Sequence, residues 1–391
     1  MKNKHIAIIA ENYPSKDRQV LVFVQELVHA LIEQNVKVTI IAPQSIVHAL
    51  IHRQGFLPKY SIGVTESMKT YDVYRPYTIS AGNYRVFSKL VDFFNRWVVR
   101  TRVRKVNPDV LYAHFWSSAL TIYKYALKYA IPLFVACGEG DDALEDMVNI
   151  LSKEQIENLA SAVTGVVSVS SENKRKCVKY RLATESDVQV FPNGVNTDIF
   201  FKTDVSELKN HLGVKDGDFV VGFVGGFIPR KGPDRIAEAI KKLNDPHIKS
   251  IFIGKPFAGY PYDFDCPGIL HKGPVEHCLL SKYLNCMDVF VMPTLNEGCC
   301  NAIVEALAVG LPVISSDRPF NDDILNEQNS IRIDPNDIDA IAEALRIYRD
   351  NTKMRLVNSQ YSILNREKYS IAHRAKNILD FIDIQLNKHK K

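Results

Sequence analysis

The sequence predicts two doubly wound α/β domains, each a parallel sheet covered by helices on both faces. Short apolar strands alternate with amphipathic helical stretches. The alternation pauses once, near residue 195, and then begins again. A length of 391 residues suits two domains at roughly 100–200 residues each. With 46% hydrophobic and 24% charged residues there is apolar material for two cores, which excludes a disordered chain or a coiled coil.

HIAIIA (5–10) reads as a first buried strand, and Val20 to Ile32 carries an amphipathic helical period. VKVTIIAP (36–43) is the next strand, stopped by Pro43. DVLYA (109–113), PLFVA (132–136) and GVVSVS (165–170) follow, each flanked by helical stretches. FPNGVNTDIF (191–200) is rich in turn residues and marks the joint. The second run has strand FVVGFV (219–224), a helix over 232–243 and strand KSIFI (249–253). Strand DVFVM (288–292), a helix over 301–309 and strand PVIS (312–315) complete it. The expected domains are 1–195 and 196–369, with a C-terminal helix at about 370–391 packing back on the first. In such sheets ligands bind at the carboxyl ends of the strands, so the site is expected there, in a cleft between the domains.

No apolar run approaches the ~18 residues of a membrane span. The opening MKNKHIAIIA turns polar at Glu11 and Asn12, too soon for a secretory signal. The seven cysteines (Cys137, Cys177, Cys266, Cys278, Cys286, Cys299 and Cys300) include no C-x-x-C pair. They read as reduced thiols in a cytoplasm, not as a zinc site or a disulfide framework.

The net charge of +5 is uneven: residues 1–196 carry 24 Lys and Arg against 18 Asp and Glu, the remainder 25 against 26. The excess gathers in segment 82–105, where Arg85, Lys89, Arg96, Arg100, Arg102, Arg104 and Lys105 face Asp92 alone. Val86, Leu90, Phe93, Phe94 and Trp97 recur among these cations at helical spacing. Such a helix either lies on an anionic membrane surface or packs with a solvated basic face. Nucleic acid is disfavoured, since no aromatic-rich binding strand or finger motif accompanies the charge.

The strongest chemical signal is NEGCCNAIVEALAVGLPVISSD (296–317). Glu297 and Gly298 fall in the loop after a strand, and Asn301 is placed as the N-cap of the next helix. A helix start turns unpaired N–H groups outward and binds anions. Glu305 lies one turn inside, so both carboxylates border one pocket. Carboxylates beside an anion cradle are unfavourable unless they accept hydrogen bonds from hydroxyls, and those of a sugar or ribose serve.

Glu297 and Glu305, with seven residues between them in this context, resemble the E-x7-E motif of the retaining family 4 glycosyltransferases. FVGGFIPRKGP (223–233), the FPNGVNTDIF joint and KGPVEHCLLSKYLNCMDVFVMPT (272–294) are similar to that family's segments, in its order. ENYPSKDRQVLVFVQELVHAL (11–31) and NPDVLYAHF (107–115) resemble its first helix and its P-D-x-x-x-x-H segment. The resemblance implies a GT-B fold and a metal-independent transfer from a nucleotide-diphosphate sugar, UDP- or GDP-linked, with no cofactor. It also implies a saccharide or lipid-linked acceptor, in surface polysaccharide or lipopolysaccharide assembly. Glu305 would accept from the donor ribose and Glu297 from the transferred sugar. N–H groups from Gly298, Cys299, Cys300 and Asn301 would hold sugar and phosphates, while Arg230 and Lys231 neutralise the diphosphate. His114, Glu139 and Asp141 would complete the catalytic set from the first domain.

Three departures stand out. Gly226 takes the place of a frequent arginine, QVLVFV (19–24) that of a glycine-rich turn, and CGEGD (137–141) that of an H-G-x-D segment, with Glu139 near the missing histidine. A dinucleotide oxidoreductase would need G-x-G-x-x-G after its first strand, and none follows residues 5–10. An epimerase or phosphorylase of the same fold lacks support. The alternative of another class is a non-catalytic GT-B partner in a glycan assembly complex.

Overall fold

The computed structural model describes residues 4–11, 13–15, 21–51, 55–79, 88–257 and 262–388. They form two compact units, Met1–Phe191 with Arg374–Lys391, and Pro192–His373. The division thus falls at the start of the turn-rich joint, four residues before Val195. The chain leaves the second unit inside its last helix rather than at 369.

The first unit contains strands β1 (His5–Ile9), β2 (Lys37–Ile41), β3 (Gln44–Ser45), β4 (Tyr60–Val64) and β5 (Thr70–Tyr74). It continues with β6 (Tyr77–Thr78), β7 (Val110–His114), β8 (Leu133–Cys137), β9 (Val163–Ser168) and β10 (Val188–Val190). Eight of them form one sheet in the order β10-β9-β8-β7-β1-β2-β5-β4, and β3 pairs with β6. Every pairing in the large sheet is parallel except β4 with β5. β7 and β8 are buried at every residue, as strands covered on both faces must be. The helix Ile371–Lys388 closes this unit. Its Phe381 lies 6.1 Å from Phe134 and 6.0 Å from Phe191, ring to ring, and Gln385 Nε2 donates to the Ser186 carbonyl at 3.0 Å.

The second unit has β11 (Phe219–Val224), β12 (Ile248–Ile253), β13 (Ile269–Gly273), β14 (Val289–Met292), β15 (Val313–Ser316) and β16 (Ser330–Ile333). Their order is β13-β12-β11-β14-β15-β16, all parallel. In each sheet the winding direction reverses once, between β1 and β7 and between β11 and β14. Loops leaving a sheet on either side of such a reversal splay apart, and this opens a crevice at the carboxyl ends of the strands.

The long apolar runs became strands within two residues of where the sequence put them. Missing from the sequence reading were β3 and β6, β4 and β5, β10, β13 and β16. These are short or carry polar residues, and β4, β10, β13 and β16 lie at sheet edges, where one side needs no burial.

Candidate active site

In the second unit the reversal brings the loop after β11 beside the loop after β14. Residues 225–232 turn from the strand into the helix Pro233–Leu243, with Gly232 at φ +73° as its N-cap and Pro233 in its first turn. A Cβ on Gly232 would stand 2.3 Å from the Arg235 guanidinium. Arg235 needs that space, because it donates to the carbonyls of Pro229 (2.8 Å) and Pro293 (2.6 Å) and so ties the two loops together. Leu295 N–H adds a bond to the Arg230 carbonyl at 2.9 Å.

This frame brings Arg230, Lys231 and Glu297 together. The Arg230 guanidinium lies 2.8 Å from Glu297 Oε1, and the Lys231 ammonium contacts the same oxygen. Thr294 donates to that oxygen at 2.9 Å. The carboxylate is only 12% exposed and Lys231 16%, so the pair is little screened by water. Burial works to lower the Lys231 pKa, but the neighbouring Cys300 sulfur and Glu297 carboxylate outweigh it, and the ammonium is held above its usual range. Burial raises the Cys300 thiol. Two cations therefore converge on one anionic oxygen of the protein itself, at the crevice where a ligand's anion would compete for them.

The helix Asn301–Ala308 starts beside this cluster. Its N-cap is Cys300, not Asn301, and no side chain caps it. Asn301 is already helical, and its Oδ1 is used elsewhere: it accepts from Asn193 Nδ2 at 2.7 Å. The same Asn193 amide donates to the Cys299 carbonyl at 3.2 Å, and its backbone N–H meets the Cys299 sulfur at 3.4 Å. Asn193, read from the sequence as part of the joint, thus holds the loop before the helix from 106 residues away. No local signal reveals such a contact. In its first turn the Ile303 N–H donates to the Cys300 carbonyl at 3.1 Å, while the Asn301 N–H ahead of it has no carbonyl one turn back. Gly298 lies in the loop between, and Glu305 sits half-buried one turn into the helix.

At Gly226 a Cβ would lie 3.0 Å from the Phe257 ring, which is 59% exposed. The missing arginine is thus accompanied by an aromatic ring standing over its position. Both basic residues nearby, Arg230 and Lys231, are already turned toward Glu297.

The first unit gathers its own candidates at the reversal between β1 and β7. His114 ends β7 and is 7% exposed. It packs 4.4 Å from the Phe115 ring and 5.7 Å from Phe23. Neither ring nitrogen has a hydrogen-bond partner among the described residues. Burial, helped by the positive charge of Arg374, lowers its pKa to about 3, so the imidazole is neutral. Phe115 follows at φ 73°, ψ 157°, a region that costs a side chain on the order of 1–3 kcal/mol and collects at functional sites. His114 thus keeps two unsatisfied nitrogens next to a strained backbone.

Glu139 follows β8 on the neighbouring strand. Its oxygens accept from Trp116 N–H at 2.6 Å and Gly138 N–H at 3.0 Å. It therefore satisfies the start of the helix Trp116–Tyr129, not that of the helix that follows it in sequence. Burial raises its pKa, and those backbone bonds oppose the rise. Asp141 is the first residue of the helix Asp141–Ile150, behind Gly140 as N-cap. Its side chain lies outside the described residues.

Comparison with known proteins agrees with this geometry. Residues 20–199 match the family model described as Glycosyltransferase Family 4, and residues 218–351 match Glycosyl transferases group 1. The chain is 31% identical over 247 residues to an Escherichia coli UDP-Gal:alpha-D-GlcNAc-diphosphoundecaprenol alpha-1,3-galactosyltransferase, covering 59% of this chain and 62% of that protein. It is 26% identical over 317 residues to the putative teichuronic acid biosynthesis glycosyltransferase TuaC of Bacillus subtilis, covering 74% and 78%. Among solved structures, the sucrose-phosphate synthase of Thermosynechococcus elongatus superposes with TM-score 0.74 at 15% identity, covering 99% of this chain and 100% of that one. Anabaena HepE in complex with UDP-glucose gives 0.69 at 13% identity, covering 97% and 100%. At such identities the likeness is one of fold, the GT-B pairing of two Rossmann-like units.

Proposed function

The chain belongs to the family 4 glycosyltransferases, and on that premise we propose that it moves a sugar from a nucleotide-diphosphate donor to a saccharide or lipid-linked acceptor. The transfer retains anomeric configuration and needs no metal ion. The supporting observation is the convergence of Arg230 and Lys231 on Glu297 at the winding reversal of the second unit, beside the open helix start at Asn301. A donor diphosphate takes over the two cations and the first-turn N–H groups. Glu297 is then released to accept from hydroxyls of the transferred sugar, and Glu305 accepts from the ribose. As the glycosidic bond breaks, negative charge grows on the leaving diphosphate, and donors already fixed in place stabilise it without reorganisation. A diphosphate oxygen takes the acceptor's proton, so no enzyme nucleophile is involved.

The uridine donor is favoured over the guanosine one, since the E. coli relative is named for UDP-Gal and HepE was solved with UDP-glucose. The same relative is named for a diphosphoundecaprenol acceptor, which supports a lipid-linked saccharide and a role in surface polysaccharide assembly. Among the described residues no helix is long and apolar enough to cross a membrane. The protein acts at the cytoplasmic face, in peripheral contact with an anionic membrane through segment 82–105.

Calorimetric titration of UDP, GDP and ADP into the wild type and the Lys231→Ala and Glu305→Ala variants tests this reading. Binding of one nucleotide, weakened in both variants, is the expected result. No binding by any of the three at millimolar concentration overturns the donor site. Binding of UDP with neither transfer nor donor hydrolysis across a sugar panel points to the non-catalytic partner instead.

A further inference from the structure

The helix Ser88–Val106 is attached to the first unit the opposite way round from a packed helix with a solvated basic face. Its fully buried residues are Val99 and Val103. Its largest apolar side chains point outward: Leu90 is 69% exposed, Phe93 67%, Trp97 57% and Phe94 38%. At 3.6 residues per turn these four fall within an arc of roughly 100°, on the side away from Val99 and Val103. Phe94 and Trp97 stand ring to ring at 6.1 Å and make one continuous patch. Arg104 and Lys105 are exposed farther along the helix, and Arg96 and Arg100 flank it half-buried. Arg102 lies over the Tyr74 ring at 4.4 Å, so it anchors the helix to β5. Asp92 is the helix's one acidic residue. Segment 82–87, with Arg85 and Val86, lies outside the described residues.

Water-exposed leucine, phenylalanine and tryptophan on one helical face carry a solvation cost that folding does not relieve, so the face is built to be covered. What covers it must be apolar at the centre and anionic around the rim. We infer that this face seats in the interface of an anionic lipid bilayer. Leu90, Phe93, Phe94 and Trp97 enter at the level of the first acyl carbons, and Arg96, Arg100, Arg104 and Lys105 lie among the lipid phosphates. Tryptophan beside arginine is the pairing that interfacial helices use, since each has an apolar body and a polar end. The inference deepens the peripheral-contact reading above and rests on it for its purpose, the delivery of a lipid-linked acceptor. Its test needs no turnover.

The chain's two tryptophans make the test direct, because Trp116 is 1% exposed and only Trp97 can change surroundings on binding. The full chain is mixed with vesicles of phosphatidylcholine alone or with phosphatidylglycerol added, and tryptophan emission and co-sedimentation are read. The expected result is a blue shift and co-sedimentation with the anionic vesicles only, both lost at high salt. Leu90→Ser with Phe93→Ser should lower partition at least about tenfold and leave UDP binding unchanged. Arg104→Glu with Lys105→Glu should abolish the preference for anionic lipid. Absence of binding to anionic vesicles, or equal binding to both kinds, overturns the inference. So does a lipid-free dimer, seen by sedimentation equilibrium, that the Leu90/Phe93 variant dissociates, since a second copy would then cover the face. Loss of UDP binding with vesicle binding intact would count against the donor site alone.

Discussion

Glu297 holds the two cations that a diphosphate would need, so it acts as the site's own counter-anion until a donor arrives. In the proposed reading a diphosphate displaces it, and a sugar hydroxyl then engages it. Replacing Glu297 with glutamine separates these two roles. UDP alone should bind several-fold tighter, because Arg230 and Lys231 no longer have a partner to give up. Sugar transfer should fall by about a hundredfold or more, because the carboxylate that orients the sugar is gone. Calorimetry against a steady-state assay reads both, and parallel losses of binding and rate would contradict the displacement scheme.

His114 gives a prediction in stability. Its folded pKa of about 3 lies below the 6.5 of the unfolded chain, so the unfolded state binds the proton more readily between these values. Its contribution is intact above pH 6.5 and is lost as pH falls, by roughly 3 kcal/mol on reaching pH 4. His114→Phe should flatten the urea stability profile over that window. An unchanged slope would show that the ring is not kept neutral by burial. The two carboxylates of the E-x7-E pair were legible in sequence because their spacing is local. The engagement of Glu297 was not, because Arg230 is 67 positions away and only the sheet brings it near.

Among the elements, the helix Asn301–Ala308 carries the proposed donor site, and its start is fixed by a side chain from another segment. Asn193 bonds the Cys299 carbonyl and Asn301 Oδ1 at once, and only an amide of that length donates both hydrogens there. Asn193→Ala should weaken UDP binding about tenfold by loosening the 298–301 loop, and lower the melting temperature by only a few degrees. Asn193→Asp should not restore binding, since it loses both donors. A variant that binds UDP like the wild type would reduce Asn193 to a feature of the joint. The sequence placed this helix from its apolar period and mistook its N-cap by one residue. Cap identity depends on which side chain is free to turn back, and Asn193 had already taken Asn301.

For the whole molecule, the last helix closes the first unit although the chain reaches it through the second. Ala375, Ile378 and Ile382 are fully buried, and Phe381 and Leu386 nearly so. Each large apolar side chain so buried is worth on the order of 1.5–3 kcal/mol, and together they approach the whole stability of a domain. A chain ending at His373 should therefore lose the cooperative melting of its first unit while the second still binds UDP. Melting by circular dichroism beside UDP titration checks this, and a truncated chain with an unaltered first transition would refute it.

The sequence by itself determined the two α/β units and most of their strands, since runs such as FVVGFV and DVFVM are buried on both faces and carry that requirement in their composition. It also determined the motif around Glu297 and Glu305. Tertiary structure decided which partners those residues meet, that Asn193 belongs to the site, that Glu139 caps a helix twenty-three positions before it, and which side of the helix Ser88–Val106 faces out. Hydrophobic periodicity says that a face is apolar, and only packing says whether that face is covered. The contacts that make the site join residues distant in sequence, and no pattern within one segment encodes them.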